Sequence, residues 1–82
     1  MRDKNQSAKV FGEVLKELRL ARGFKQHKLA ELAKTERSHI SALERAVKSP
    51  ALPTLFILAG ALDISASELI RLVEQKLESL NH

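Results

Sequence analysis

The 82-residue sequence contains no cysteine, tryptophan or tyrosine, and it has only three glycines and two prolines. Without cysteine there can be neither a disulfide framework nor a thiolate metal site. The longest apolar run, residues 55–62, is far too short to span a bilayer. No apolar segment follows the polar residues 1–7, as it would in a secretory signal. These absences predict one small soluble domain that works in the cytoplasm without contacting a membrane.

Residues that carry chemistry are also sparse. The histidines lack the spacing of metal ligands and have no acidic partner that would complete a ligand cluster. The glycines form no loop that could cradle a nucleotide. We therefore expect no metal, no cofactor and no enzymatic activity. The residues concerned are His27, His39 and His82, with Gly12, Gly23 and Gly60.

The charge of the chain is unevenly distributed. Residues 1–50 carry twelve Lys/Arg and six Asp/Glu, a net charge of +6, whereas residues 51–82 carry two and four, a net charge of −2. Together they give the +4 of the whole chain. A basic first part favours contact with a polyanion such as nucleic acid, although many small basic domains have no such partner.

Apolar residues recur with a helical period in almost every segment, and none alternates with period two. The pattern predicts an all-α fold, a compact bundle of five helices. Residues 1–6 would be a flexible N-terminal arm, and residues 7–82 a single domain. The expected helices are one from an N-cap at Ser7 to just before Gly23, then 26–33, then 36–45 behind an N-cap at Thr35, a fourth from Leu52, and a fifth behind the capping box of Ser65 and Glu68.

Two of these helices, 26–33 and 36–45, are separated by a short turn, which is the spacing of a helix-turn-helix. On the second helix, Ile40 and Leu43 would face the core. The opposite arc would carry small polar residues and two arginines, which suits entry into a major groove. An ordinary solvent-exposed helix face would have the same composition. The positions around the helix therefore do not distinguish a DNA-binding face from an exposed face that binds nothing. The residues of the arc are Arg37, Ser38, Ser41, Ala42 and Arg45.

The stretch F-K-Q-H-K-L-A-E-L-A-K-T-E-R-S-H-I-S-A-L-E-R, residues 24–45, resembles the Cro/phage-repressor type helix-turn-helix family. The downstream pattern P-x-x-x-T-L-x-x-L-A-x-A-L-x-I, residues 50–64, fits the same family, a lambda-repressor-like DNA-binding fold. The resemblance covers about residues 8–70. Within the family, Glu-Arg-Ser at the head of the second helix is similar to controller proteins of restriction–modification systems.

The resemblance implies a transcription regulator, such as a repressor, that binds a pseudo-palindromic operator as a dimer, with residues 36–45 in the major groove. It implies base readout by Glu36, Arg37, Ser38, Ser41 and Ala42. Phosphate contacts would come from Lys25, Gln26, His27, His39, Arg45 and Lys48. Arg19 and Glu44 would form a structural ion pair that aligns the recognition helix. Arg37 could instead contact only phosphate.

Three residues depart from the family pattern. Lys34 and Ala46 stand where glycine, or for Ala46 also asparagine, is usual, so Lys34 would need a positive φ. Lys25 stands where a capping side chain is usual, which forfeits about 1 kcal/mol of helix stability. The two lysines could each add a phosphate contact instead.

The last helix, about residues 66–80, has more apolar positions than one bundle face needs. We expect it to form the dimer interface through Ile70, Val73, Leu77 and Leu80, unless Leu77 and Leu80 only cover the core. The expected partners are double-stranded operator DNA and a second copy of the chain, with RNA polymerase or a toxin protein as further candidates. The alternative function is an antitoxin-type module that neutralises a toxin and autorepresses its operon.

Overall fold

The computed structural model describes residues 4–80, which form five α-helices joined by short turns. Within that range there is no β-strand, and the predicted all-α bundle is confirmed. The helices are α1 Lys4–Ala21, α2 Gln26–Leu32, α3 Arg37–Glu44, α4 Leu52–Ala61 and α5 Ala66–Leu80.

The core is built from apolar residues of all five helices. α1 packs against both α3 and α5, α2 packs against α3, and α4 packs against α5. Because α1 packs against two helices that are far apart in sequence, it connects α3 to the C-terminal helix α5. The largest of the fully buried side chains, each at most 1% exposed, are Val10, Leu15, Leu29, Ile40, Leu43, Leu58, Leu62 and Leu69.

Helix α1 begins at Lys4, earlier than the start expected at Ser7. The segment from Lys4 to Gln6 contains no glycine or proline that would stop the helix from extending. The expected N-terminal arm is therefore helical from residue 4 onward, and residues 1–3 lie outside the described part of the chain.

Helices α1 to α4 end in the same way, with one residue in the left-handed region followed by a backbone bond back into the helix. Gly23 has φ of 72°, and three residues other than glycine adopt the same conformation: Lys34, Ala46 and Asp63, with φ of 56°, 62° and 60°. The positive φ predicted for Lys34 is confirmed. The next amide then donates to the carbonyl five residues back, as in a Schellman motif. The bonds are Phe24 to Arg19, Thr35 to Ala30, Val47 to Ala42 and Ile64 to Ala59, at 2.8–3.1 Å.

The prediction of Thr35 as the N-cap of α3 is wrong, because the carbonyl that accepts the first bonds of α3 is that of Glu36. The amide of Thr35 instead closes the end of α2. Glu36 occupies the N-cap position, with extended backbone and no capping bond from its side chain. Lys25 likewise leads into α2 without a side-chain cap, as expected. At α5 the Ser65 hydroxyl accepts a bond from the Glu68 amide at 3.0 Å, which is half of the predicted capping box.

Helix α5 corrects part of the interface prediction. Leu69, Val73 and Leu77 follow one another at a spacing of four residues and lie in the core, with Val73 7% and Leu77 6% exposed. They are buried because α5 packs along α1 as well as α4. Val73 and Leu77 are therefore core residues and not interface residues. Ile70 and Leu80 remain exposed, at 43% and 55%.

Candidate DNA-binding surface

Helix α3 is held in the core by one face and presents the other to solvent. Ile40 and Leu43 are fully buried, as the helical wheel predicts. The residues predicted to read bases lie on the outer side: Glu36, Arg37 and Ser38 are exposed, while Ser41 and Ala42 are half-buried. Because Ser41 and Ala42 have short, half-buried side chains, the middle of this arc extends less far into solvent than the long side chains at the two ends of α3.

A shallow depression of mixed polarity runs beside α3. It brings together part of the predicted base-reading side and two predicted phosphate contacts, His39 and Lys48, and it is lined by Thr35, Glu36, Ser38, His39, Ala42 and Lys48. Thr35 was not expected in the site. Its hydroxyl hydrogen-bonds to the His39 Nδ1 atom at 3.0 Å, which fixes the orientation of the imidazole ring.

Three other predicted phosphate contacts lie at the end of α3, where Arg45 follows the helix, or at the start of α2, where Lys25 and His27 lie. Arg45 donates from Nε to the Ser41 hydroxyl at 3.2 Å, so its guanidinium lies along the outer side of α3. Lys25 and His27 are exposed at the start of α2.

A buried ion pair joins α1 to the end of α3. Arg19 donates from Nε to Glu44 Oε2 at 2.6 Å and from a terminal nitrogen to Oε1 at 3.1 Å, which makes the pair bidentate. Its other terminal nitrogen donates to the Phe24 carbonyl at 2.8 Å. The side chains are only 8% and 4% exposed. Since both charges are compensated by hydrogen bonds, the pair aligns α3 without leaving an unsatisfied buried group.

Gln26 lies between this ion pair and Arg37 at the head of α3. Its amide nitrogen donates to Glu44 Oε1 at 3.0 Å, and its amide oxygen accepts from the Arg37 guanidinium at 3.0 Å. The half-buried Gln26 therefore connects an exposed arginine at the head of α3 to a buried carboxylate at its end.

Gly12 was not identified from the sequence as part of this framework. A Cβ atom on Gly12 would lie 2.5 Å from the Glu44 carbonyl oxygen and 2.6 Å from that of Leu43. The backbone of α1 thus lies directly against the end of α3, where only glycine fits. The available signal was a glycine inside an amphipathic helix, between the core residues Phe11 and Val14 and far from any turn.

The helix-turn-helix family matches residues 15–69, which is more than half of the chain and includes α2, α3 and the network around Glu44. The chain belongs to the helix-turn-helix family. It is a DNA-binding transcription regulator of the Cro/C1 type, as the sequence resemblance implies.

Solved structures agree with the family. The restriction–modification controller protein C.AhdI from Aeromonas hydrophila is 38% identical, with a TM-score of 0.79, over 83% of this chain and 99% of that one. The clp gene regulator ClgR from Corynebacterium glutamicum is 21% identical, with a TM-score of 0.85, over 92% and 80%. The C.Esp1396I controller protein tetramer, bound to its natural 35 base-pair operator, is 23% identical, with a TM-score of 0.78, over 84% and 91%. A search of the curated proteins finds no match.

Regulators of the helix-turn-helix family are typically not enzymes. Among residues 4–80 of this family member, no group of histidines and carboxylates is arranged to hold a metal ion. Over the same range, no helix is both long and apolar enough to cross a membrane.

Proposed function

We propose that the protein binds a pseudo-palindromic DNA operator as a homodimer, with α3 in the major groove of each half-site. The observation that carries this proposal is the outer arc of α3, which is polar and open while Ile40 and Leu43 fix the inner face in the core. An eight-residue helix is about 12 Å long, so one copy reads only a few base pairs. A second copy, about 34 Å away on the DNA, would read the other half-site.

Within each half-site, Arg37 is the principal candidate for base readout, because its planar guanidinium matches O6 and N7 of guanine. Glu36 would accept a hydrogen bond from cytosine, while Ser38, Ser41 and Ala42 would contact bases across the low middle of the arc. Phosphate contacts are proposed for the basic and polar residues at the rim of α3 and at the start of α2. These are Lys25, Gln26, His27, His39, Arg45 and Lys48.

The dimer would form on a different surface, between α4 and α5. Leu52, Leu55, Phe56 and Ile70 line one apolar groove between α4 and α5, here called the α4–α5 apolar face. Leu52 is 67%, Phe56 59% and Ile70 43% exposed. Residues 51–82 carry a net charge of −2, which disfavours contact with DNA. An exposed apolar groove on so small a domain typically marks an interface, and a two-fold contact would place the same face on both copies.

The physiological role that we propose is transcription control in a restriction–modification system, in the cytoplasm and by binding alone, without catalysis. The support is the similarity to C.AhdI, a controller protein at 38% identity. Binding at an operator would alter the access of RNA polymerase to the promoter. The antitoxin alternative, with a toxin protein as partner, is not favoured by these comparisons.

The test compares two point variants on an operator and on an unrelated duplex over a range of salt concentrations. Arg37→Ala is expected to cost about 1–3 kcal/mol on the operator and to relax the preference at one base pair of each half-site. Lys48→Ala is expected to weaken both duplexes alike and to make the salt dependence shallower by about one unit. Equal losses on both duplexes for Arg37→Ala would contradict its role in base readout.

A further inference from the structure

A partly enclosed cavity of about 170 Å³ lies behind α3, between α3 and α4. The proposed function does not use it. The two helices that border the cavity are held by different neighbours, because α3 packs against α1 and α2 while α4 packs against α5 and α2. Where the end of α2 approaches both helices, Ala33 contributes only a methyl group to the lining, so the space between α3 and α4 is not filled.

The cavity has an apolar interior and a polar mouth. Its buried lining residues are all apolar and at most 6% exposed: Ala33, Ile40, Leu43 and Leu58. The polar lining residues are half-buried or exposed: Lys34, Thr35, His39 and Thr54. Of the described residues that line the cavity, none is acidic. This lining favours a molecule with an apolar body and one anionic group.

The mouth of the cavity contains a turn whose conformation is fixed by bonds within the protein. Lys34 has φ of 56°, and the next amide, that of Thr35, donates to the Ala30 carbonyl at 2.9 Å and closes the end of α2. The Thr35 hydroxyl hydrogen-bonds to the His39 Nδ1 atom at 3.0 Å. Because these groups are already held in place, binding of a ligand would require little ordering of the protein.

We propose that this cavity binds a small aromatic carboxylate of the size of benzoate. An apolar cavity of about 150 Å³ holds one benzene molecule, so a single ring fits against Ile40, Leu43 and Leu58. The carboxylate would lie at the mouth, where the Lys34 ammonium pairs with its charge and the Thr54 hydroxyl donates a hydrogen bond to it. A molecule this small makes few contacts, so we expect a dissociation constant in the millimolar range.

The cavity adjoins the candidate DNA-binding surface through two shared residues. Thr35 and His39 line both the cavity and the depression beside α3. A bound carboxylate would add a negative charge on the basic side of the molecule and neutralise Lys34. We therefore expect the ligand to weaken operator binding about fivefold, and operator DNA to weaken ligand binding by the same factor. This coupling rests on the proposed function, whereas binding of the ligand to the cavity does not.

The first experiment titrates the full chain with benzoate and follows the methyl NMR signals of Ile40, Leu43 and Leu58. We expect saturable shifts with benzoate and none with acetate, which has the charge but no ring. Thr54→Leu enlarges a side chain that lines the cavity and should abolish the shifts, whereas Thr54→Ser keeps the hydroxyl and the space and should retain them. The proposal is wrong if benzoate gives no saturable shift in the wild-type protein, or if it gives the same shifts in Thr54→Leu with a native amide spectrum.

A second pair of variants tests recognition of the carboxylate. Lys34→Gln removes the cation at the mouth and should weaken benzoate binding about fivefold. Lys16→Gln is the matched control, because Lys16 is an exposed lysine on α1 away from the cavity, and it should leave benzoate binding unchanged. Equal affinities of the two variants would contradict the pairing of the carboxylate with Lys34.

The last experiment measures operator affinity in benzoate and in acetate at the same concentration, so that the ionic strength is equal. The wild-type protein is expected to bind about fivefold more weakly in benzoate, and Thr54→Leu to bind equally in both. Equal affinities of the wild-type protein, at benzoate concentrations that saturate the methyl shifts, would overturn the coupling. If the protein binds no operator in acetate, the proposed function is wrong, and the methyl titration still decides whether the cavity binds the ligand.

Discussion

The helices α1 to α3 and the helices α4 and α5 expose different chemistry. Residues 1–50 carry a net charge of +6, and residues 51–82 a net charge of −2. Large exposed apolar residues are concentrated in the second part, where Leu52, Phe56 and Ile57 on α4 are each more than half exposed. Both parts contribute apolar residues to the core, but the buried ion pair and the close backbone approach of two helices lie in the first part.

This difference agrees with the proposed separation of base readout from dimerisation within one small domain. A surface that reads bases must hold polar side chains in fixed positions, and buried charges with complete hydrogen bonding provide that directionality. A surface that binds another copy of the chain needs apolar area instead. The two regions meet along α1, which packs against both α3 and α5.

The largest expected effect comes from breaking the framework of the first region. Arg19→Ala should lower the free energy of unfolding by about 3–5 kcal/mol, because Glu44 would remain buried without its counter-charge. Chemical denaturation measures this loss. Arg22→Ala is the matched control: Arg22 faces Asp63 across 3.9 Å, and their side chains are 44% and 90% exposed, so its removal should change stability by less than about 1 kcal/mol. Similar losses in the two variants would contradict a special role of burial.

The second effect tests the other region. Phe56→Asp with Ile70→Asp places two charges on the α4–α5 apolar face, and should give a folded monomer whose operator affinity is about a hundredfold lower, equivalent to about 2.7 kcal/mol. Sedimentation and a binding titration measure both. The control, Leu20→Asp with Leu32→Asp, makes the same charge change at exposed leucines outside that face and should remain a dimer. An intact dimer in the first variant would place the interface elsewhere.

A smaller effect distinguishes the glycines of the two regions. Gly12→Ala should cost about 1–3 kcal/mol of unfolding free energy, because α1 and α3 would have to separate to admit the methyl group. Gly60→Ala should instead stabilise by about 0.5–1 kcal/mol, since Gly60 lies inside α4 with no atom within 4 Å of its would-be Cβ. Thermal unfolding of the two variants measures the opposite signs. A stabilising Gly12→Ala would show that the two helices can separate freely.

The smallest effect concerns an exposed pair at the start of α5. The side-chain hydrogen bond from Arg71 holds the pKa of the Glu68 carboxyl below its usual range. A carboxyl with a depressed pKa in the folded state stabilises the protein above its unfolded-state pKa, and the contribution is lost as the pH falls through the folded-state pKa. NMR titration should therefore show the Glu68 pKa rising toward its ordinary value in Arg71→Gln. An unchanged pKa would mean that the pair does not persist in solution.

The helical period predicted the helices well, because a buried stripe at a spacing of three to four residues is imposed by packing itself. The period could not assign Val73 and Leu77, since which α5 stripe is buried depends on where α1 and α4 lie. It also misplaced the N-cap of α3 at Thr35, because the bond that closes α2 comes from the backbone amide of Thr35, a group that every residue except proline carries.

At the candidate DNA-binding surface, too, the sequence predicts only part of the arrangement. Arg19 and Glu44 were recognised as a pair from the family pattern. The part of Gln26 in joining them to Arg37 depends on three-dimensional distances that no spacing encodes. Gly12 carries its meaning only through the carbonyl oxygens of α3 that approach it.

Selection of bound duplexes from a random pool tests operator binding by two copies of α3 most directly. We expect enrichment of one short motif in two inverted copies, with their centres about 34 Å apart or a multiple of that distance, bound by two copies of the chain. A pool with no enriched sequence, or with a single motif bound by one copy, would contradict it.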